Sequence, residues 1–303
     1  MTEGRAFAKG NGTGNDFVLL PDPEGDLDLT AAQVRAVCDR RFGIGGDGVL
    51  RVVRTEVAGD DVQQLAGGAE WFMDYRNADG SIAEMCGNGA RVFARYLVQE
   101  GLVEAGAGVI GTRAGVLAVD VPHAFDGDVT IAMGTATTPL LRALPQVVVG
   151  ERSWPATGVL CPNPHAVVFV DDLAEAGDLL AAPQVVPAAV FPDGVNIEFV
   201  VRHEPGHVRM RVHERGVGET LSCGTGAVAV AWAARRHDAD AAAAAGGGSP
   251  EEALAAMPQR YRVDVPGGTV HVVEHPDGRL DLVGPAEVAA RGILDPRWWA
   301  SIA

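Results

Sequence analysis

The sequence predicts an α+β protein of two pseudo-symmetric lobes, each a curved, barrel-like antiparallel or mixed β-sheet wrapped around a central buried helix. Three observations lead there. Much of the 303-residue chain alternates apolar and polar residues with the period of two that marks half-buried strands, and turn signals such as Asp126-Gly127 and Pro276-Asp277-Gly278 separate the runs. Two helix starts share the pattern Cys-Gly-x-Gly followed by Ala, namely Cys86-Gly87-Asn88-Gly89 and Cys223-Gly224-Thr225-Gly226. Between 227 and 234 the only polar side-chain group is the indole N–H of Trp232. A helix apolar nearly all round must be covered on nearly all sides, and in a strand-rich chain a curled sheet does so most simply.

In chain order, strands are predicted over residues 16–20, 49–53, 71–75, 116–121 and 129–133, then over 166–170, 196–201, 208–213, 262–265, 270–273 and 280–283. Thr30 is placed to cap a helix over 31–39. A second helix is predicted over 87–100, polar only along a stripe through Arg91, Arg95 and Gln99, and a third over 224–236. A short helix near 173–180 would be capped by Asp171 or Asp172. A strand-like segment and a polar loop precede each Cys-Gly-x-Gly start: 71–75 then 76–84, and 208–213 then 214–220. This suggests an internal duplication and two facing lobes, an N-terminal one over 1–127 and a C-terminal one over 128–285, with 286–303 returning to pack on the first. Residues 237–258, with a five-alanine run and Gly246-Gly247-Gly248-Ser249-Pro250, read as a flexible surface insertion carrying a possible helix over 251–257.

Composition excludes several classes of function. The net charge is −16, which disfavours nucleic acid, because phosphate contacts need clustered Lys and Arg. Lys9 is the one lysine, so a pyridoxal Schiff base would have to use it, and Ala8 stands where a Walker loop needs Gly. The cysteines, Cys38, Cys86, Cys161 and Cys223, form no CxxC pair, which argues against zinc ribbons and thioredoxin motifs. The opening MTEGRAFAKG has no apolar h-region, and no run approaches the length of a membrane helix. These features predict a cytoplasmic, reduced protein with no metal.

The chemistry rests on the cysteines. A helix N-terminus presents unpaired N–H groups and the positive end of a dipole, so a thiolate there is stabilised and its pKa is expected to fall toward neutrality. The glycines let a ligand approach the backbone, whose N–H groups can hold a carboxylate. Two such elements facing each other could grip one α-carboxylate and leave a sulfur on each face of the α-carbon. One thiolate would take the α-proton and the other thiol would return a proton to the opposite face, inverting the centre. Cys38, at helical spacing from Val34, and Cys161, before Pro162, lack the pattern and read as structural. A lone Cys-Gly is more often a small buried hydrophobe beside a turn. The matched pair is what favours catalysis.

The chain resembles the diaminopimelate epimerase family. The resemblance lies in Gly12-Thr13-Gly14-Asn15-Asp16-Phe17, Arg41-Phe42-Gly43-Ile44-Gly45-Gly46-Asp47-Gly48, Asn77-Ala78-Asp79-Gly80-Ser81, Met85-Cys86-Gly87-Asn88-Gly89-Ala90-Arg91, Asn163-Pro164-His165, Gly194-Val195-Asn196, and Glu214-Arg215-Gly216 leading to Cys223. These stretches span nearly the whole chain in the family's order. The resemblance implies that family's fold, a substrate pair, LL- and meso-2,6-diaminopimelate, interconverted without cofactor or metal, and a homodimer. It makes Cys86 the proton donor and Cys223 the acceptor, with His165 and Glu214 tuning their pKa values. It makes Asn15, Asn77, Asn163, Asn196, Glu214 and Arg215 ligands of the unreacting amino-acid centre, and Gly87-Asn88 and Gly224-Thr225 the helix-end sites for the reacting carboxylate. Taken alone, Asn15, Asn77 and Asn163 sit in turn-prone sequence and would be read as closing turns. His165 would be a polar group at a strand start, Glu214 and Arg215 a surface ion pair, and Arg41 and Asp47 residues that shape a loop. Gly48 departs from the resemblance, since many members carry Gln there. A proline or hydroxyproline racemase, usually with His where Asn88 stands, a two-cysteine redox enzyme and a non-catalytic binder remain as other readings.

Overall fold

A computed structural model describes residues 4–139, 143–246 and 248–302. The first half runs β1 (Arg5–Gly12), β2 (Asn15–Pro21), α1 (Ala31–Cys38), β3 (Gly48–Arg54), α2 (Asp60–Ala66), β4 (Trp71–Asn77), α3 (Gly87–Gln99), β5 (Gly106–Thr112), β6 (Gly115–Val121) and β7 (Val129–Thr135). It continues with β8 (Gln146–Val149), β9 (Arg152–Cys161), β10 (Asn163–Phe169), β11 (Gln184–Val186), β12 (Asn196–Glu204), β13 (His207–Glu214) and β14 (Gly218–Thr220). Last come α4 (Gly224–Gly246), α5 (Pro250–Ala256), β15 (Arg260–Val265), β16 (Gly268–Glu274), β17 (Arg279–Gly284), β18 (Glu287–Leu294) and α6 (Pro296–Ala300). The chain divides into two compact units, one of residues up to 131 together with 284 onward, the other of residues 132–283. The α+β class expected from the sequence is the class observed.

In the first unit β1 pairs antiparallel with both β18 and β2. From β2 the order is parallel to β3, antiparallel to β4, parallel to β5, then antiparallel to β6 and β7. Parallel neighbours need a crossover, which α1 and α3 supply. Thr30 caps α1 in a reciprocal capping box with Gln33, an arrangement worth about 1 kcal/mol. Helix α3 packs against β1, β2, β3, β4, β6 and β18 and is buried from Gly87 through Leu97. Its polar stripe does not face water. Arg91 and Arg95 are fully buried, and Arg95 donates to the carbonyls of Pro122 and Ala124 at 3.0 and 3.2 Å, closing the turn after β6.

The second unit repeats the ladder. β9 is antiparallel to β10, β10 parallel to β12, β12 antiparallel to β13, β13 parallel to β15, and β15, β16 and β17 follow antiparallel. In both units the Cys-Gly-x-Gly helix is the crossover between the fourth strand of this series and the fifth. Helix α4 packs against β9, β10, β12, β13, β15 and β16, with Ala227–Ala234 buried throughout.

Two expected elements differ. The third helix does not stop at Arg236 but runs ten residues further, to Gly246, and the segment read as a flexible insertion is helical over 237–246 and again in α5; Gly247 lies outside the described residues. Alanine has the highest helix propensity, and tertiary contacts hold the extension: Arg235 and Arg236 pair with Glu274 at 3.1 and 2.8 Å, and Asp238 accepts from Tyr261 at 2.8 Å. The short helix near 173–180 is a single 3-10 turn, Leu173–Ala176, capped by Asp172. Among the described residues no helix is long and apolar enough to cross a membrane.

Candidate active site

In the first unit, β4 ends at Asn77 and a loop leads to Cys86, the extended N-cap of α3. The Cys86 sulfur accepts from Gly89 N at 3.5 Å, so the thiol occupies the place a capping oxygen would take. Its S–H donates to Asn15 Oδ1 at 3.6 Å, and Asn88 Nδ2 donates to the same oxygen at 3.3 Å. Asn15 is turned this way by Asp47, which accepts from Asn15 Nδ2 at 2.7 Å. Arg40 bridges Asp47 and Asp16, each at 2.7 Å, and Lys9 pairs with Asp16 and donates to the Gly45 carbonyl. Burial opposes ionisation of Asp16, but hydrogen bonds and charge from Arg40 and Lys9 outweigh it and hold this carboxyl well below the usual range. Asn77 donates to Ser81 Oγ at 3.0 Å and closes the 77–81 turn. Behind α3's first turn lies Arg91, which reaches Thr13 Oγ1 at 3.2 Å and Pro285 O at 3.3 Å, with Nη1 unpartnered among the described residues. Burial pushes its pKa down to about 10, against the attraction of Cys86 and Asp128.

In the second unit, β13 ends at Glu214 and a loop leads to Cys223, directly ahead of α4. The Cys223 sulfur accepts from Gly226 N at 3.3 Å and lies 3.5 Å from Thr225 Oγ1. Asn196 is buried, and its amide is engaged with backbone: Oδ1 accepts from Arg215 N at 2.9 Å and Nδ2 donates to Pro164 O at 3.4 Å. The Arg215 side chain is exposed and donates to Asp193 O at 3.1 Å. Thr220 donates to Glu214. His165 is fully buried with Glu198, its Nδ1 2.6 Å from Glu198 Oε1 and its Nε2 3.0 Å from Asn163 Oδ1.

The expected fall in thiol pKa is reversed at Cys223. Burial pushes it well up, and the carboxylates of Glu214 and Glu198 add to the rise. The bonds from Thr225 and Gly226 pull the other way and lose. One helix end contributes about 0.3–1 kcal/mol, whereas removing a thiolate from water shifts a pKa by up to several units. Cys38 and Cys161 are buried, each pushed up to about 12 chiefly by burial, which fits their reading as structural.

Sequence reasoning passed over Arg40, Arg91 and Glu198, and took Asp47 for a loop-shaping residue. Glu198 carried a signal: it shares a strand face with buried Asn196 and Val200, so period-two alternation puts an acid inward. Gly48 also has a local reason. A Cβ there would lie 2.5 Å from Arg76 O and 2.7 Å from the Tyr75 ring, so the glutamine that the resemblance led one to expect does not fit this backbone.

The model of the diaminopimelate epimerase family matches residues 7–139 and 159–288. The chain belongs to that family. It is 55% identical over 293 residues to the diaminopimelate epimerase of Streptomyces coelicolor, covering 97% of this chain and 96% of that one. It is 46% identical to the diaminopimelate epimerase of Mycolicibacterium smegmatis, covering 98% and 99%. Solved structures share the fold at low identity. A Bacillus anthracis phenazine biosynthesis protein of the PhzF family superposes with a TM-score of 0.62 at 16% identity, over 97% of this chain and 100% of that chain. A hydroxyproline epimerase from Agrobacterium vitis gives 0.62 at 15%, over 98% and 95%. The diaminopimelate epimerase family therefore has its fold in common with proteins of quite different name.

Proposed function

We propose that this protein is a cofactor-independent isomerase that interconverts LL- and meso-2,6-diaminopimelate with Cys86 and Cys223 as its acid–base pair, in the formation of lysine and peptidoglycan precursors. The observation that carries this is the repeated half-site: in each unit a cysteine opens a buried helix and its sulfur accepts from the N–H three residues on. Family membership supplies the substrate.

The reaction needs no change of oxidation state. One thiolate takes the α-proton, the C–H electron pair moves into the carboxylate as enediolate charge, and the other thiol returns a proton to the opposite face. Cys86 is the donor and Cys223 the acceptor in one direction, and the roles exchange in the other. The N–H groups of the helix starts at Gly87-Asn88 and Gly224-Thr225 receive the reacting carboxylate and stabilise its growing charge. Asn15, Asn77, Asn163, Asn196, Glu214 and Arg215 serve the distal amino-acid group, Asn196 by fixing the backbone that carries Arg215. His165 and Glu214 tune the thiols. Lys9 is committed to Asp16 and Gly45, which supports chemistry without pyridoxal. The working form is a cytoplasmic homodimer; sedimentation of the purified protein tests the dimer.

The test is α-proton exchange from LL-diaminopimelate in deuterated water, with L-proline and peroxide as control substrates. Inversion with deuterium uptake is expected for diaminopimelate alone. Cys86→Ala and Cys223→Ala should each lower turnover by about a thousandfold or more while a substrate analogue still binds, the scale of a lost general acid or base. Turnover that survives either change would refute the pair.

A further inference from the structure

We infer that Glu198 is a positioning residue that holds His165 and keeps the resting proton on Cys223, so that Cys86 is the base of the unliganded protein. This rests on the two-thiol reading above and adds which thiol is charged at rest.

Two equivalent places in the units carry different residues. In the first unit Phe17 pairs with Gly48, and in the second His165 pairs with Asn196, across the same parallel joint. Two residues further along each strand stand Leu50 and Glu198. The next layer confirms the match. A Cβ built on Gly89 meets Leu50, Phe17 and Cys86 at 3.4, 3.4 and 3.6 Å. A Cβ built on Gly226 meets Glu198 Oε1 at 2.9 Å, then the Cβ and Sγ of Cys223 at 3.2 and 3.3 Å. The carboxylate oxygen and the reactive sulfur thus converge on one glycine, whereas the three atoms nearest the equivalent Cβ in the other unit are all carbons.

The charges differ to match. Glu198 and His165 are both wholly buried, and Glu198 Oε2 has no hydrogen-bond partner among the described residues. Two carboxylates act on Cys223, Glu198 on β12 and Glu214 at the end of β13, and His165 on β10 is bonded to Glu198 Oε1, the oxygen that lies nearest Gly226. Both acids oppose a thiolate, and burial does so more strongly. Position 228, five residues into α4, is Val; the equivalent position in α3 is Arg91, a buried guanidinium attracted to Cys86. The long S–H contact from Cys86 to Asn15 favours the thiol only weakly. Glu198 also fixes the imidazole: with Nδ1 on the carboxylate, Nε2 is directed at Asn163.

Nuclear magnetic resonance of protein labelled at the cysteine Cβ follows each thiol separately and needs no substrate. In the unaltered protein Cys86 should titrate at lower pH than Cys223. In Glu198→Gln, which keeps the shape and an acceptor for His165, the Cys223 midpoint should fall by about one pH unit or more while Cys86 stays in place. A Cys223 midpoint unmoved in a folded Glu198→Gln protein overturns the inference. So does a Cys223 midpoint at or below that of Cys86 in the unaltered protein, which decides the matter even where the variant fails to fold. Absence of epimerisation would sink the enzymatic reading and leave these titrations standing.

Discussion

Asn15 owes its orientation to Asp47. An amide can present either end to a ligand, and the 2.7 Å bond from Nδ2 to the Asp47 carboxylate points Oδ1 at Cys86 and Asn88. Hydrogen bonds to charged groups contribute about 1.5–3 kcal/mol. Asp47→Asn is therefore expected to raise KM for diaminopimelate about tenfold with little change in kcat or in the circular dichroism; an unchanged KM would show that Asn15 is held by other means. The ion pairs of exposed Arg40 contribute little by comparison. Gly48 behaves in the opposite way, as a residue defined by what it excludes. Gly48→Gln drives a side chain into Arg76 O and the Tyr75 ring, and thermal unfolding should report a clear loss of stability rather than a gain in activity. At this scale the two cysteines and their glycines stood out because Cys-Gly-x-Gly recurs, whereas Asn15, Asn77 and Asn163 were singled out by the resemblance and not by any pattern of their own. The pairings of Glu198, Arg40 and Arg91 were not legible, because their partners lie 33, 24 and 78 positions away in the chain.

The two cysteine helices look interchangeable as sequence and differ as packed elements. Replacing a helical glycine by alanine gains up to about 1 kcal/mol of propensity where space allows. At Gly89 the new methyl meets Leu50, Phe17 and Cys86 at ordinary contact distance, so Gly89→Ala should be neutral or stabilising. At Gly226 it collides with Glu198 Oε1 and crowds Cys223, so Gly226→Ala should lower the melting temperature and shift the Cys223 thiol. Equal effects in calorimetry would mean that the two helix starts are not packed differently. Strand prediction shows the same dependence on surroundings. β1, β5 and β18 carry Gly, Ala, Lys or Asn where strands prefer branched residues, and they were passed over. β1 is a strand because β2 and β18 flank it on both sides. β5 is one because its whole length pairs with β6.

Over the whole molecule, buried thiols tie stability to pH. Cys38 and Cys161 are held neutral, each pushed up to about 12, and Cys223 is raised as well. An acid whose pKa is raised by folding binds its proton more tightly in the folded state. The stability this gives is complete below the unfolded thiol value of about 8.5 and drains away as pH climbs toward the folded value. Each such thiol should cost about 2 kcal/mol between pH 8.5 and 10. Urea unfolding at pH 7.5 and 10 measures this, and Cys161→Ala should show a smaller loss between the two than the parent; an equal loss would show that Cys161 ionises without unfolding. The duplication is also a property of the whole chain. Both units carry the same series of antiparallel and parallel joints although little but Cys-Gly-x-Gly repeats in the letters. The sequence by itself determined the α+β class, the two buried helices, the paired cysteines and the family, because period, propensity and motif are local properties of the chain. Tertiary structure alone decided that Asp47 aims Asn15, that Arg91 lies dry behind Cys86, and that burial and two carboxylates oppose a thiolate at Cys223. Those depend on desolvation and on charges brought together from distant segments, and neither is written in any local stretch of residues.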